Sequence, residues 1–167
     1  MKRTLISAAA LAFLLTLGQP AAAQDLASSI VGVWKMISWT RKDVATGKTS
    51  KLYGEQPVGY NVYTRNGRVL VFAVAEGRKA PTKPEPSDAE RIDLFKSMFA
   101  YSGTYKAEGN NKLVYRIDGS WNQSWTGTDL TRKVEIAGNK LTIVTPPFKS
   151  VLDGQEIVVT TTYERAE

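Results

Sequence analysis

Neither cysteine nor histidine occurs in this chain of 167 residues. Without histidine there is no Ser–His or Cys–His nucleophile pair, no histidine zinc site and no proximal haem ligand. Without cysteine there is no disulfide, no thiolate metal cluster and no thiol for a lipid behind a leader. Charge runs are missing too. The basic residues come in scattered pairs such as Arg41–Lys42, Arg78–Lys79 and Arg132–Lys133, and no block of five or six speaks for nucleic acid. The formal net charge is +6, with Lys2 and Arg3 supplying two of it. That mild excess favours anionic ligands or envelope surfaces only weakly. No cofactor or metal is expected.

One long apolar run exists, Leu5–Leu17, interrupted by Ser7 and Thr16. Lys2 and Arg3 precede it, Gly18 and Pro20 end it, and Ala21-Ala22-Ala23 supplies a small-x-small cleavage pattern. Residues 1–23 therefore read as a secretory signal peptide rather than an anchor, since a comfortable span needs about 20 apolar residues. Cleavage is expected after Ala23. Residues 24–167 then form one soluble domain with no membrane span, periplasmic or secreted. A chain of this length supports a core without disulfide staples. Its oligomeric state is not readable.

β-rich runs recur at Gly32–Asp43, Val58–Thr64, Arg68–Ala75, Gly103–Ala107, Lys112–Asp118, Thr128–Ile136, Lys140–Thr145 and Glu156–Arg165, with a short extra candidate at Thr49–Tyr53. Asn66-Gly67, Gly109-Asn110-Asn111 and Gly138-Asn139 mark turns between them. Short turns without alternating helices argue against a parallel sheet. The expected fold is all-β: eight antiparallel strands closed up-and-down into a barrel. One helix interrupts them. Ser87-Asp88-Ala89-Glu90 reads as a capping box, after the proline-rich linker Ala80–Pro86. Ile92, Phe95, Met98 and Phe99 are expected on one helical face, packed on the barrel wall or across its mouth.

Gly32-Val33-Trp34 opens the first run and Tyr163-Glu164-Arg165 closes the last. Gly32 lets the chain bend tightly, Trp34 is an apolar plug for one barrel end, and Arg165 is expected over its indole.

The ordered set of motifs resembles the bacterial lipocalin-like domain family within the calycin group of ligand-binding barrels. It comprises Gly32-Val33-Trp34, Pro57–Arg68, Ala100–Tyr105, Trp125–Asp129 leading to Arg132, and Gly138–Thr142 running into Thr145-Pro146-Pro147. The resemblance covers about Ile30 to Arg165. It implies a small-molecule-binding barrel, with some barrel relatives acting as cyclases. Relatives often carry a histidine near the Tyr115–Arg116 position. This chain departs there, so no histidine chemistry carries over.

Arg132 is the foremost polar candidate. It shares strand parity with Leu130, Val134 and Ile136, which places it inward. A buried guanidinium needs a partner, either Asp118 or another carboxylate of the chain, or an anionic ligand group. Arg116 and Asp118 share a face and are candidates for a network with Arg132, although solvated exterior charge is the plainer reading of Arg116. Tyr60, Tyr63 and Tyr115 offer hydroxyls to a ligand, as do Tyr101 and Tyr105, each also explained by ordinary packing. Trp39, Trp121 and Trp125 line a mouth or cover an end. Nothing spaces two carboxylates for hydrolysis. The sequence thus favours a barrel binding a small, largely apolar molecule, anionic in one reading. It keeps open a cyclase- or isomerase-type enzyme and an envelope protein whose barrel is filled by its own side chains.

Overall fold

The computed structural model describes residues 25–167. The leader expected at residues 1–23 and its cleavage point lie outside the described residues. In chain order the strands are β1 (Gly32–Asp43), β2 (Thr49–Lys51), β3 (Val58–Tyr63), β4 (Arg68–Val74), β5 (Met98–Glu108), β6 (Lys112–Ser120), β7 (Asp129–Ala137), β8 (Lys140–Val144), β9 (Phe148–Lys149) and β10 (Glu156–Arg165). Neighbours pair antiparallel in the order β1-β3-β4-β5-β6-β7-β8-β10, and β10 returns to β1 from Trp34↔Arg165 to Asp43↔Ile157. Eight strands therefore close a barrel, in which each has a partner on both sides over at least part of its length. The short β2 and β9 extend it along β1 and β10.

Alternation sets the inside of the wall. In β4, Val69, Val71 and Ala73 are buried while Leu70 and Phe72 face out. The β3–β4 hairpin turns through Gly67 at φ +80°, a conformation that suits glycine, and Thr64 N–H closes it on the Arg68 carbonyl at 2.9 Å. In β1 the register shifts between Met36 and Ser38, leaving Ile37 outside. That bulge moves the inward parity by one residue, so Trp34, Met36 and Trp39 all point in.

One end of the barrel is sealed. Trp34 is 0% exposed, and its Nε1 donates to the Ile30 carbonyl at 2.8 Å. A short helix, α1 (Leu26–Ser29), leads into it with Leu26 and Ile30 buried beneath. The Arg165 guanidinium lies 4.1 Å over the indole and donates to the carbonyls of Ser29 and Val31 at 2.7 and 2.8 Å. At Gly32 a Cβ would come within 2.7 Å of Arg165 Nη1 and of the Glu167 carbonyl oxygen. The glycine lets the arginine lie flat across the end.

The second helix, α2 (Asp88–Lys96), begins at the expected capping box: Ser87 Oγ accepts from Glu90 N–H and the Glu90 carboxylate accepts from Ser87 N–H. Its expected apolar face does not exist. The helix stops at Lys96, and Met98 and Phe99 belong to β5, which starts well before the expected Gly103. Phe99, Tyr101, Gly103 and Tyr105 are buried alternately, a period of two that overrides the short helical match. Ile92 and Phe95 stay about half exposed, and α2 has no buried residue. The helix touches the barrel mainly through Phe95, stacked on Trp121 at 5.4 Å, with Trp121 Nε1 donating to the Phe95 carbonyl. Among the described residues no helix is long and apolar enough to cross a membrane.

Candidate functional site

The barrel half away from Trp34 holds a cavity. Strands β1, β3, β5, β7 and β10 send Trp39, Asn61, Tyr101, Arg132 and Tyr163 into it. Phe99, Trp125 and Phe148 stand around it as well. Trp125 sits on a 3₁₀ turn, Gln123–Trp125, that follows β6. The empty volume, mouth included, is about 430 Å³, and about 50 Å³ of it admits the centre of a water-sized sphere. One water needs about 10–15 Å³, so the innermost part has room for a few waters. A larger guest has to use the mouth.

Among the described residues, Arg132 is the only charged one lining this cavity. It is 9% exposed, and among the described residues it forms no salt bridge. Its Nη1 donates to the Thr131 carbonyl at 2.8 Å, and its Cζ lies 5.7 Å from the Tyr115 ring centre. The Tyr101 hydroxyl also interacts with the guanidinium, and donors remain beyond these neutral partners.

Two more buried polar atoms on residues lining the cavity have no partner: Asn61 Oδ1 and Trp39 Nε1, on side chains 2% and 5% exposed. Buried polar atoms are almost always hydrogen-bonded, so such orphans point to a missing partner. From Asn61 a chain of hydroxyls runs toward the sealed end. Asn61 Nδ2 donates to Tyr63 Oη at 3.3 Å, and Tyr63 and Tyr115 share a hydrogen bond of 2.5 Å. Burial pushes the pKa of Tyr63, Tyr115, Tyr101 and Tyr163 upward, with the nearby Arg132 charge drawing Tyr101 partly back. These phenols stay protonated at neutral pH and serve as donors. Among the described residues no carboxylate lines the cavity, so the charged group that these present to a guest is the guanidinium.

The sequence candidates separate cleanly. Arg132, Tyr115 and Tyr63 come together inside the barrel. Arg116, Asp118 and Tyr60 do not join them, because their parity faces the outer surface. Asp118 accepts from Ser102 at 2.6 Å and pairs with Arg68 at 2.6 Å, while Arg116 reaches Asp129 at 3.4 Å. Thus Asp118 and Arg132, offered above as a structural pair, lie on opposite faces of the wall. Sequence reasoning missed Asn61, although it shares parity with Tyr63. It also missed Phe148 on β9 and the inward Phe99.

A family model described as "Lipocalin-like domain" matches residues 31–166. No curated protein matches the chain. A crystal structure of an uncharacterized protein from Bacteroides eggerthii is similar at 14% identity, over 78% of this chain and 97% of that one, with a TM-score of 0.36. The model match spans most of the chain, over the same strands that close the barrel. The protein belongs to the lipocalin-like domain family.

Proposed function

We propose that the barrel binds a small, largely apolar molecule bearing an acidic group, with Arg132 as the anchor of that group. The observation that carries this reading is a buried guanidinium lining the cavity without a carboxylate partner. An uncompensated buried charge is costly, and an anionic guest would offset that cost. Asn61 Oδ1 and Trp39 Nε1 offer an acceptor and a donor for the remaining polar atoms of the guest. The protein is taken to act after export, with residues 1–23 removed; an intact mass that retains them would contradict this part.

The direct test is calorimetry with matched carboxylate and neutral amide probes. Arg132→Met keeps length and bulk and removes the charge. Carboxylate affinity should fall by about 1.5–3 kcal/mol, while the amide changes little. Equal affinities for the two probes in the native protein, unchanged in the variant, would remove Arg132 from the function.

A further inference from the structure

The barrel wall is split beside Arg132. Strand β7 pairs with β6 from Arg116↔Asp129 onward, but its ladder with β8 begins only at Lys133↔Val144. Continuing that register would set Pro146 opposite Thr131 and Pro147 opposite Leu130. Neither proline has an N–H to give. The chain instead stays beside β10: Thr145 N–H donates to the Val159 carbonyl, and Phe148 and Lys149 pair with Ile157 and Glu156. Asp129–Arg132 are therefore left without strand partners on that side. Bonds from Ile117 N–H to the Thr128 carbonyl and from Val134 N–H to the Asn111 carbonyl set the alternation of β7. By that alternation the Thr131 carbonyl faces the split, and the Arg132 guanidinium, not a strand, accounts for it.

A groove runs outward from this split between Leu130, Pro146, Phe148 and Lys149. It shares Trp125, Arg132, Thr145 and Phe148 with the inner cavity. The groove, open along one side, offers about 330 Å³ against about 50 Å³ in the interior. An engineered cavity that takes benzene has about 150 Å³. A ring therefore has more room in the groove than in the interior.

We infer that the split between β7 and β9 is the binding site for an aromatic carboxylate, its ring against Trp125, Phe148 and Leu130 and its carboxylate on Arg132. This rests on the reading of Arg132 as an anion anchor and adds the place and the class of the guest. Trp125 and Phe148 stand edge-to-face at 6.5 Å, a geometry in which a flat guest meets both aromatic surfaces. Beyond the Thr131 bond and the interaction with the Tyr101 hydroxyl, Arg132 keeps donors enough for a bidentate carboxylate. Lys149 also lines the groove, as does Asp129, which pairs with Arg116.

The test is an amide NMR titration of the native protein with 2-naphthoate, 2-naphthamide and decanoate. The expected result is that 2-naphthoate shifts the amides of Leu130–Arg132 and Lys149 and binds at least tenfold tighter than the other two probes. Arg132→Met should reduce 2-naphthoate to the level of the amide, and Arg132→Lys should recover part of the loss. The contrast among the three probes needs no variant. Shifts confined to interior positions such as Val71, Ile143 and Val159 would overturn the groove site and leave the function proposed above standing. Decanoate binding as tightly as 2-naphthoate would overturn the aromatic class. No shift with any probe would overturn the groove site together with the anchor reading.

Discussion

Truncating Trp34 to alanine is the sharpest stability test of the sealed end. The side chain is 0% exposed, so the substitution leaves a cavity the neighbours cannot fully close. Large aromatic truncations of this kind cost about 3–5 kcal/mol. Two further interactions vanish with the indole. One is the hydrogen bond from Nε1 to the Ile30 carbonyl, worth about 1 kcal/mol net. The other is the contact with the Arg165 guanidinium at 4.1 Å, worth about 0.5–2 kcal/mol. These terms overlap with the truncation range rather than adding to it, because the three groups touch. The expected loss is therefore in the upper part of that range, about 4–5 kcal/mol. With a urea m-value of about 2 kcal/mol/M, the unfolding midpoint should drop by about 2 M. Trp34→Phe keeps most of the packing and loses the donor, so its drop should be under half as large. A midpoint shift below about 0.5 M for Trp34→Ala would refute the placement of the indole at the sealed end.

Other positions make separate tests. Gly103→Ala would drive a Cβ into the Arg116 carbonyl across β5 and β6, and denaturation should show a loss of about 1–3 kcal/mol, as overpacked sites do. Tyr63→Phe removes a hydroxyl that bonds both Asn61 and Tyr115; chemical denaturation should register about 1–3 kcal/mol from the partners left behind. Asp118→Asn alters an exposed pair with Arg68 on the outer wall, so it should shift stability by about 1 kcal/mol or less and leave probe binding unchanged. The Glu90 carboxylate accepts from Thr82 and Ser87, which holds its pKa down to about 2 from an ordinary 4.5. Because the folded value is depressed, the anchoring of the linker by Glu90 is complete above pH 4.5 and is lost as pH falls toward 2. The protection factor of the Thr82 amide, its exchange rate set against the intrinsic rate at each pH, should fall as pH drops through that window, and an unchanged protection factor would refute the anchor.

Most of the barrel was legible because strand alternation and hairpin chemistry are local signals. Asn66-Gly67 placed a turn correctly, and the parity of Arg132 with Val134 placed the guanidinium inside. What escaped was set by contacts distant in the chain. The helical match of Met98 and Phe99 was a coincidence of spacing, and pairing of Phe99 with Ala73 settled it as strand. The inward turn of Trp39 depends on a bulge at Ile37 that the alternation of β1 does not announce. Arg116 and Asp118 share a face in the sequence, and exterior charge is the plainer reading of Arg116, but which face looks outward is settled by the buried Leu113, Tyr115 and Ile117; Tyr60 likewise faces out. The prolines after Thr145 were visible as a motif, yet their effect on the wall depends on the β7–β8 register, which local sequence leaves open.

The most direct measurement is native mass spectrometry of the protein purified without denaturation, beside its Arg132→Met variant. The account predicts a bound small acid on the native protein, released on activation and reduced at least tenfold in the variant. Equal occupancy of the same molecule in both proteins, or the bare mass in both, would contradict it.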